Sequence, residues 1–213
     1  MGVPVLLMGE SGTGKSTSMR NFGKEEIAII NVMGKPLPFR GKYDVYKTRN
    51  LDAIRNAIRK TNRNAIVIDD FGYTLTDLYM RHSYGVEKYR DQYEVYKEIA
   101  AEVWQTINTV TDKLDDDKVV YFIMHTTVEN GQIIPATIGK LLNEKINLVG
   151  MFTVTMISTT DGEDYSFIVG NNPPAKAPDG MFSEERIPND LKAVNTAIRD
   201  YYEMDSEGGD VGE

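Results

Sequence analysis

The sequence predicts an α/β protein, with a mainly parallel sheet covered on both faces by helices and closed by an antiparallel hairpin. Three observations carry this. Apolar runs at residues 3–8, 27–32, 65–68, 119–124 and 151–157 are nearly unbroken rather than alternating, the pattern of strands buried on both faces. Segments with helical spacing separate them, so strand and helix alternate as a parallel sheet requires. Near the end, residues 152–158 and 165–169 flank Thr160-Asp161-Gly162-Glu163, and Asp-Gly between β-rich runs is a hairpin signal.

Taken in order, the first run is far too short to span a bilayer and follows no basic stretch, so it reads as a buried strand of a cytoplasmic protein with no membrane partner. A short helix is expected over 17–22. Over 51–60, Leu51, Ile54, Ala57 and Ile58 share one helical face while Arg55, Arg59 and Lys60 lie elsewhere. Residues 70–85 hold Phe71, Tyr73, Tyr79, Arg81, His82 and Tyr84. They read as a loop whose rings either pack onto the domain or stack single-stranded bases. Tyr89, Tyr93, Tyr96, Ala100, Val103, Ile107 and Val110 recur at steps of three and four, marking a long amphipathic helix packed on the sheet. Pro188, followed by Leu191, Val194, Ala197, Ile198 and Tyr201, predicts a final helix with proline in its first turn. One domain is expected over 1–203, followed by an acidic, disordered tail over 204–213.

With 213 residues, 41% of them hydrophobic, the chain can build one sizeable core. Its net charge of -8 argues against nucleic-acid binding driven by the overall field. A local basic cluster nevertheless runs through Arg40, Lys42, Lys47, Arg49, Arg55, Arg59, Lys60 and Arg63. The absence of cysteine excludes disulfides, thiolate metal sites and cysteine nucleophiles, and two histidines are a poor basis for a metal site.

Gly9-Glu10-Ser11-Gly12-Thr13-Gly14-Lys15-Ser16, followed by Thr17, fits G-x-x-x-x-G-K-[ST] directly after an apolar strand. Residues 9–17 would cradle a nucleotide's phosphates with backbone N–H groups, which glycine permits because side chains would block the approach. Lys15 then reaches the β- and γ-phosphates, Ser16 offers a hydroxyl to Mg²⁺, and a helix dipole behind the loop favours the anion. Ala65-Ile66-Val67-Ile68-Asp69-Asp70 has the form of a Walker B strand. Asp69 would hold Mg²⁺, and Asp70 would orient or deprotonate the attacking water. The run at 119–124 delivers His125 to the same sheet edge, where it would sense the γ-phosphate or that water. Lys176, after the hairpin, is positioned to reach a neighbouring subunit's γ-phosphate. The sequence contains no guanine-reading Asn-Lys-x-Asp, which favours ATP.

Together with the hairpin and the closing segment 181–191, these motifs resemble phage-type AAA-domain ATPases of the RecA-like P-loop group over nearly the whole chain. The resemblance implies a three-layer P-loop NTPase fold with a RecA-like sheet, and a host-cell cytoplasmic location if the chain is phage-encoded. It implies ATPase activity in recombination or single-strand annealing, self-assembly as a homo-oligomer, and single-stranded DNA as a partner, for which Arg55, Arg59 and Arg81 are the candidate contacts. Lys15 and Ser16 match the P-loop pair, Asp69 the Walker B acid, and His125 the polar residue ending the next strand. RecA-like enzymes usually place a glutamate after the second strand, where this chain has Asn31-Val32-Met33; Asp70 is the substitute. The alternatives are a nucleotide-dependent assembly module with slow turnover and a small-molecule kinase.

Overall fold

The structure is a computed structural model that describes residues 1–84, 91–170 and 173–204. Tyr89 and, Met204 apart, the acidic tail lie outside the described residues. Each apolar run forms a strand: β1 is Val3–Gly9, β2 Ile27–Asn31, β4 Ala65–Asp69, β5 Val119–Glu129 and β7 Val154–Thr160. β3 (Val45–Lys47), β6 (Gln132–Pro135), β8 (Tyr165–Ile168) and β9 (Arg186–Pro188) complete nine strands among the described residues, ordered β3-β2-β4-β5-β1-β7-β8-β9 with β6 paired to β5. Strands β1 to β5 and β7 pair in parallel. The hairpin β7–β8, the pair β8–β9 and the hairpin β5–β6 are antiparallel. The chain is thus a mixed α/β protein with a mostly parallel central sheet.

Alternate residues of the central strands point to opposite faces. Leu6, Met8, Ile66, Ile68, Val120 and Phe122 join a core beneath α1 (Leu51–Lys60) and α3 (Gln92–Lys113), against which the short α4 (Lys140–Lys145) packs. Val5, Leu7, Val67 and Tyr121 face Met19, Phe22 and α5 (Leu191–Tyr201) on the other side. Helices therefore cover both faces, as two-sided apolar strands demand.

Helix α1 has the expected bounds. Asn50 caps it by accepting from Ala53 N–H at 2.8 Å. In α3 the buried stripe holds Ala100, Val103, Ile107 and Val110 but begins at Val95, while Tyr93 is exposed. Proline does not open the last helix: Pro188 ends β9, and Asp190 caps α5 by accepting from Lys192 and Ala193 N–H. The stretch expected as a loop is α2, Gly72–Tyr84, with Phe71 and Leu75 fully buried. Tyr73 and Tyr79 belong to a helix packed on α3 and β5, and the Phe71 ring is buried just before it. Behind the glycine loop, Ser16–Asn21 is a 3-10 segment of 6 residues rather than an α-helix, so the expected dipole contribution is that of two short turns. The β5–β6 hairpin turns at Asn130 (φ 51) and Gly131 (φ 77), the Asn-Gly turn that matches strand twist. Among the described residues no helix is long and apolar enough to cross a membrane.

Candidate functional site

Register gathers the chemistry at one sheet edge. Gly9 lies opposite His125 on β5 and Met8 opposite Ile157 on β7, while Asn31 of β2 pairs with Asp69 of β4. The carboxyl ends of β2 and β4, His125 of β5 and the loop after β1 thereby open on a common cavity of about 830 Å³. It runs from Gly12 and Lys15, past Asp69 and Asp70, to Tyr165 and Asn189. That volume suits a nucleotide-sized ligand.

The glycine loop is tightly buttressed. A Cβ on Gly9 would lie 2.5 Å from the Ser158 carbonyl, and Gly14 (φ +86) leaves a Cβ only 3.0 Å from the Tyr165 ring. Ser158 Oγ donates to the Thr13 carbonyl at 2.5 Å and accepts from Asn189 Nδ2 at 3.4 Å. Thr13 Oγ1 donates to the Glu10 carbonyl at 2.9 Å. Lys15 is 6% exposed, and its Nζ donates to the carbonyls of Gly9 at 2.7 Å and Glu10 at 2.5 Å. Burial lowers its pKa, opposed by the charges of Asp70, Asp69 and Glu10.

Ser16 Oγ donates to Asp69 Oδ1 at 2.9 Å. Burial is the main reason that Asp69 is pushed up to about 6, against the opposing hydrogen bond from Ser16. The neighbouring Asp70 sits at φ 63, a left-handed conformation that aspartate tolerates better than most residues. The chain turns there into α2, as Phe71 N–H donates to the Ile123 carbonyl at 2.8 Å. Asp70 Oδ1 lies 3.5 Å from His125 Nε2, and Oδ2 lies 3.6 Å from Lys35 Nζ. The contact with His125, helped by the Lys35 charge and opposed by burial, holds Asp70 below the usual carboxylate range. Tyr73 meets the His125 ring edge-on at 5.9 Å between centroids.

The structure therefore brings together Lys15, Ser16, Asp69, Asp70 and His125. Ser11, Gly12, Gly14 and Thr17 also line the cavity; Gly9, Glu10 and Thr13 shape the loop from behind. It does not bring Lys176 to the cavity. That residue pairs through its backbone with Thr155, near the start of β7 and away from the edge. Arg55 is not the exposed cation that a DNA contact requires. Its guanidinium is buried, binding Asp52, Glu102 Oε2 at 2.9 Å and Thr106 Oγ1 at 3.0 Å, so it clamps α1 to α3. Arg59 and Arg81 stay exposed, the latter paired with Asp77 at 2.7 Å.

Sequence reasoning missed Arg20, Lys35, Tyr73, Tyr165 and Asn189 as cavity residues. Arg20 Nη1 donates to the Asn189 carbonyl at 2.9 Å. Tyr73 lay in the stretch taken for a loop; Tyr165 opens β8 of the closing hairpin and Asn189 lies between β9 and α5, and their approach to the glycine loop has no local signature.

Among the described residues no three acidic, histidine or cysteine side chains form a metal cage. A single carboxylate hydrogen-bonded to a hydroxyl at the glycine loop nevertheless fits Mg²⁺, which takes few protein ligands and completes its shell with ligand oxygens and water. Comparison with known proteins adds no family: no family model matches the chain, and no curated protein matches it.

Proposed function

We propose that this chain binds ATP with Mg²⁺ and hydrolyses it, as an ATPase of the RecA-like P-loop group. The observation that carries the reading is Lys15. A cation 6% exposed, hydrogen-bonded to loop carbonyls, faces Asp69 and Asp70 across one cavity, and so buried an ammonium is costly until an anion joins it. The β- and γ-phosphates are that anion.

Backbone N–H groups of the loop and Lys15 hold the phosphates; Ser16 and Asp69 are the residues that would hold Mg²⁺. So held, the metal would supply neutralisation of the charge that develops on the transferring phosphoryl group. Asp70, ionised and steadied by His125, accepts a hydrogen bond from the attacking water and aims it at the γ-phosphorus. As the water oxygen bonds to phosphorus, the bond to the β-phosphate oxygen breaks, ADP leaves, and the water's proton departs through Asp70. In a loose transition state this aiming matters more than basicity, which suits a carboxylate of depressed pKa.

The resemblance extends the proposal to a homo-oligomer acting on single-stranded DNA in recombination, with Arg59 and Arg81 as the remaining contacts. A slowly turning nucleotide-dependent assembly module is the second reading. Asn31 favours it, because an amide without acid–base chemistry ends the strand where RecA-like enzymes usually carry glutamate. Phosphate release from ATP and Mg²⁺, with and without single-stranded DNA, tests both, with Lys15→Ala as the control. Release stimulated by DNA and lost in the variant supports the first; release indifferent to DNA removes the DNA role, and tight binding without release leaves the second.

A further inference from the structure

Lys35 occupies a place that the mechanism above leaves unused. It follows β2 in a segment whose backbone Asn31 fixes: Asn31, 4% exposed, donates from Nδ2 to the Lys35 carbonyl at 2.7 Å and accepts from Gly34 N–H at 2.7 Å. Gly34, at φ +67, permits the turn. The anchor belongs to the site itself, since Asn31 pairs in register with Asp69. The Lys35 side chain, by contrast, is 61% exposed and its Nζ stands 3.6 Å from Asp70, over the Tyr73 ring at 5.5 Å. A charge-assisted hydrogen bond is about 2.7–2.9 Å long, so this ammonium is near its partner without being committed to it. It lines the cavity together with Lys15, Ser16, Asp69 and His125.

We infer that Lys35 is a second phosphate-facing cation supplied by the same chain, which moves from Asp70 to the γ-phosphate when a triphosphate binds and so releases Asp70 to the attacking water. This rests on the ATPase reading above. A flexible four-carbon stem on a fixed backbone lets the ammonium exchange one anion for another without moving the loop. A diphosphate lacks the group that draws Lys35 away, and Asp70 stays engaged. Triphosphate recognition is thereby coupled to the readiness of the water-orienting carboxylate. Asn31, in the place of the missing glutamate, acts as a positioning residue by holding the segment that carries the cation. The site needs no lysine from a neighbouring subunit, in contrast to the role expected of Lys176.

The test uses the full chain and its Lys35→Ala and Lys35→Arg variants, with MgATP and MgADP as probes. Affinity is measured by calorimetry, and turnover by phosphate release over a range of protein concentrations. Lys35→Ala is expected to lose about 100-fold in turnover, to bind ATP about tenfold more weakly and to bind ADP as wild type does. Lys35→Arg should recover part of the turnover, and wild-type activity per chain should not fall on dilution. Wild-type turnover in Lys35→Ala, an equal loss of ATP and ADP affinity, or activity per chain that falls on dilution would overturn the inference while leaving the ATPase reading intact. Wild-type protein that binds neither nucleotide would overturn both.

Discussion

Lys15 and Arg55 are two buried cations of one molecule, 6% and 8% exposed, and their surroundings point to opposite roles. Arg55 meets the carboxylates of Asp52 and Glu102 and the hydroxyl of Thr106 between two helices. Burial works against its charge, but the carboxylates outweigh burial and its pKa is raised. Lys15 meets loop carbonyls, with no carboxylate at ion-pair distance among the described residues, and burial lowers its pKa. Equal burial therefore distinguishes nothing. What separates a clamp from a binding group is whether the protein itself provides the counter-charge.

The sharpest way to break this comparison is to remove each cation in turn. Lys15→Met should abolish nucleotide-dependent phosphate release, a loss of at least about 100-fold, while the protein unfolds no earlier than wild type, since a costly buried charge has gone. Arg55→Met should do the reverse. Release stays at the wild-type level, and urea unfolding shows a loss of about 2–3 kcal/mol because Glu102 and Thr106 lose their partner. If Arg55→Met loses activity without losing stability, the division of roles fails. Asp69→Asn carries the same logic to an anion. It keeps the acceptor for Ser16 but removes a charge that burial disfavours, so MgATP turnover should fall by about 100-fold with stability held or raised. Activity retained in that variant would remove Asp69 from the proposed metal site.

The division was only partly legible in the sequence. Buried parallel strands write themselves as unbroken apolar runs, and the glycine spacing at Gly9, Gly12 and Gly14 states a backbone requirement that few other sequences meet. Arg55 and Lys15 are another matter. Helical periodicity placed Arg55 off the apolar face of α1, which was correct for the sheet and blind to α3, whose Glu102 and Thr106 lie 47 and 51 residues further along the chain. Ion pairs of that range leave no local signal. Pro188 and the 70–85 stretch failed for a related reason, because strand pairing and helix burial overrode local residue preference. The Asn130-Gly131 turn, by contrast, was present as a recognisable signal and went unread. Lys35 joins the site through Asn31, a residue that the sequence reading noted only for not being glutamate.

The smallest expected effect sharpens the comparison from outside it. Glu26, between the 3-10 segment and β2, accepts from Lys192 Nζ at 2.9 Å and 2.8 Å and from Gly23 N–H at 2.5 Å on an exposed surface. The bond from Lys192, then that from Gly23, lowers the Glu26 pKa from the ordinary 4.5. A carboxyl whose folded pKa lies below its unfolded value stabilises the fold above about pH 4.5, and the contribution disappears as the pH falls through the lower, folded value. Glu26→Gln should therefore cost no more than about 0.5 kcal/mol at neutral pH, because water screens the pair, and nothing in strong acid, as read by unfolding at several pH values. A neutral-pH loss as large as that of Arg55→Met would mean that ion-pair contact rather than desolvation sets these energies. The contrast drawn between Lys15 and Arg55 would then lose its physical basis.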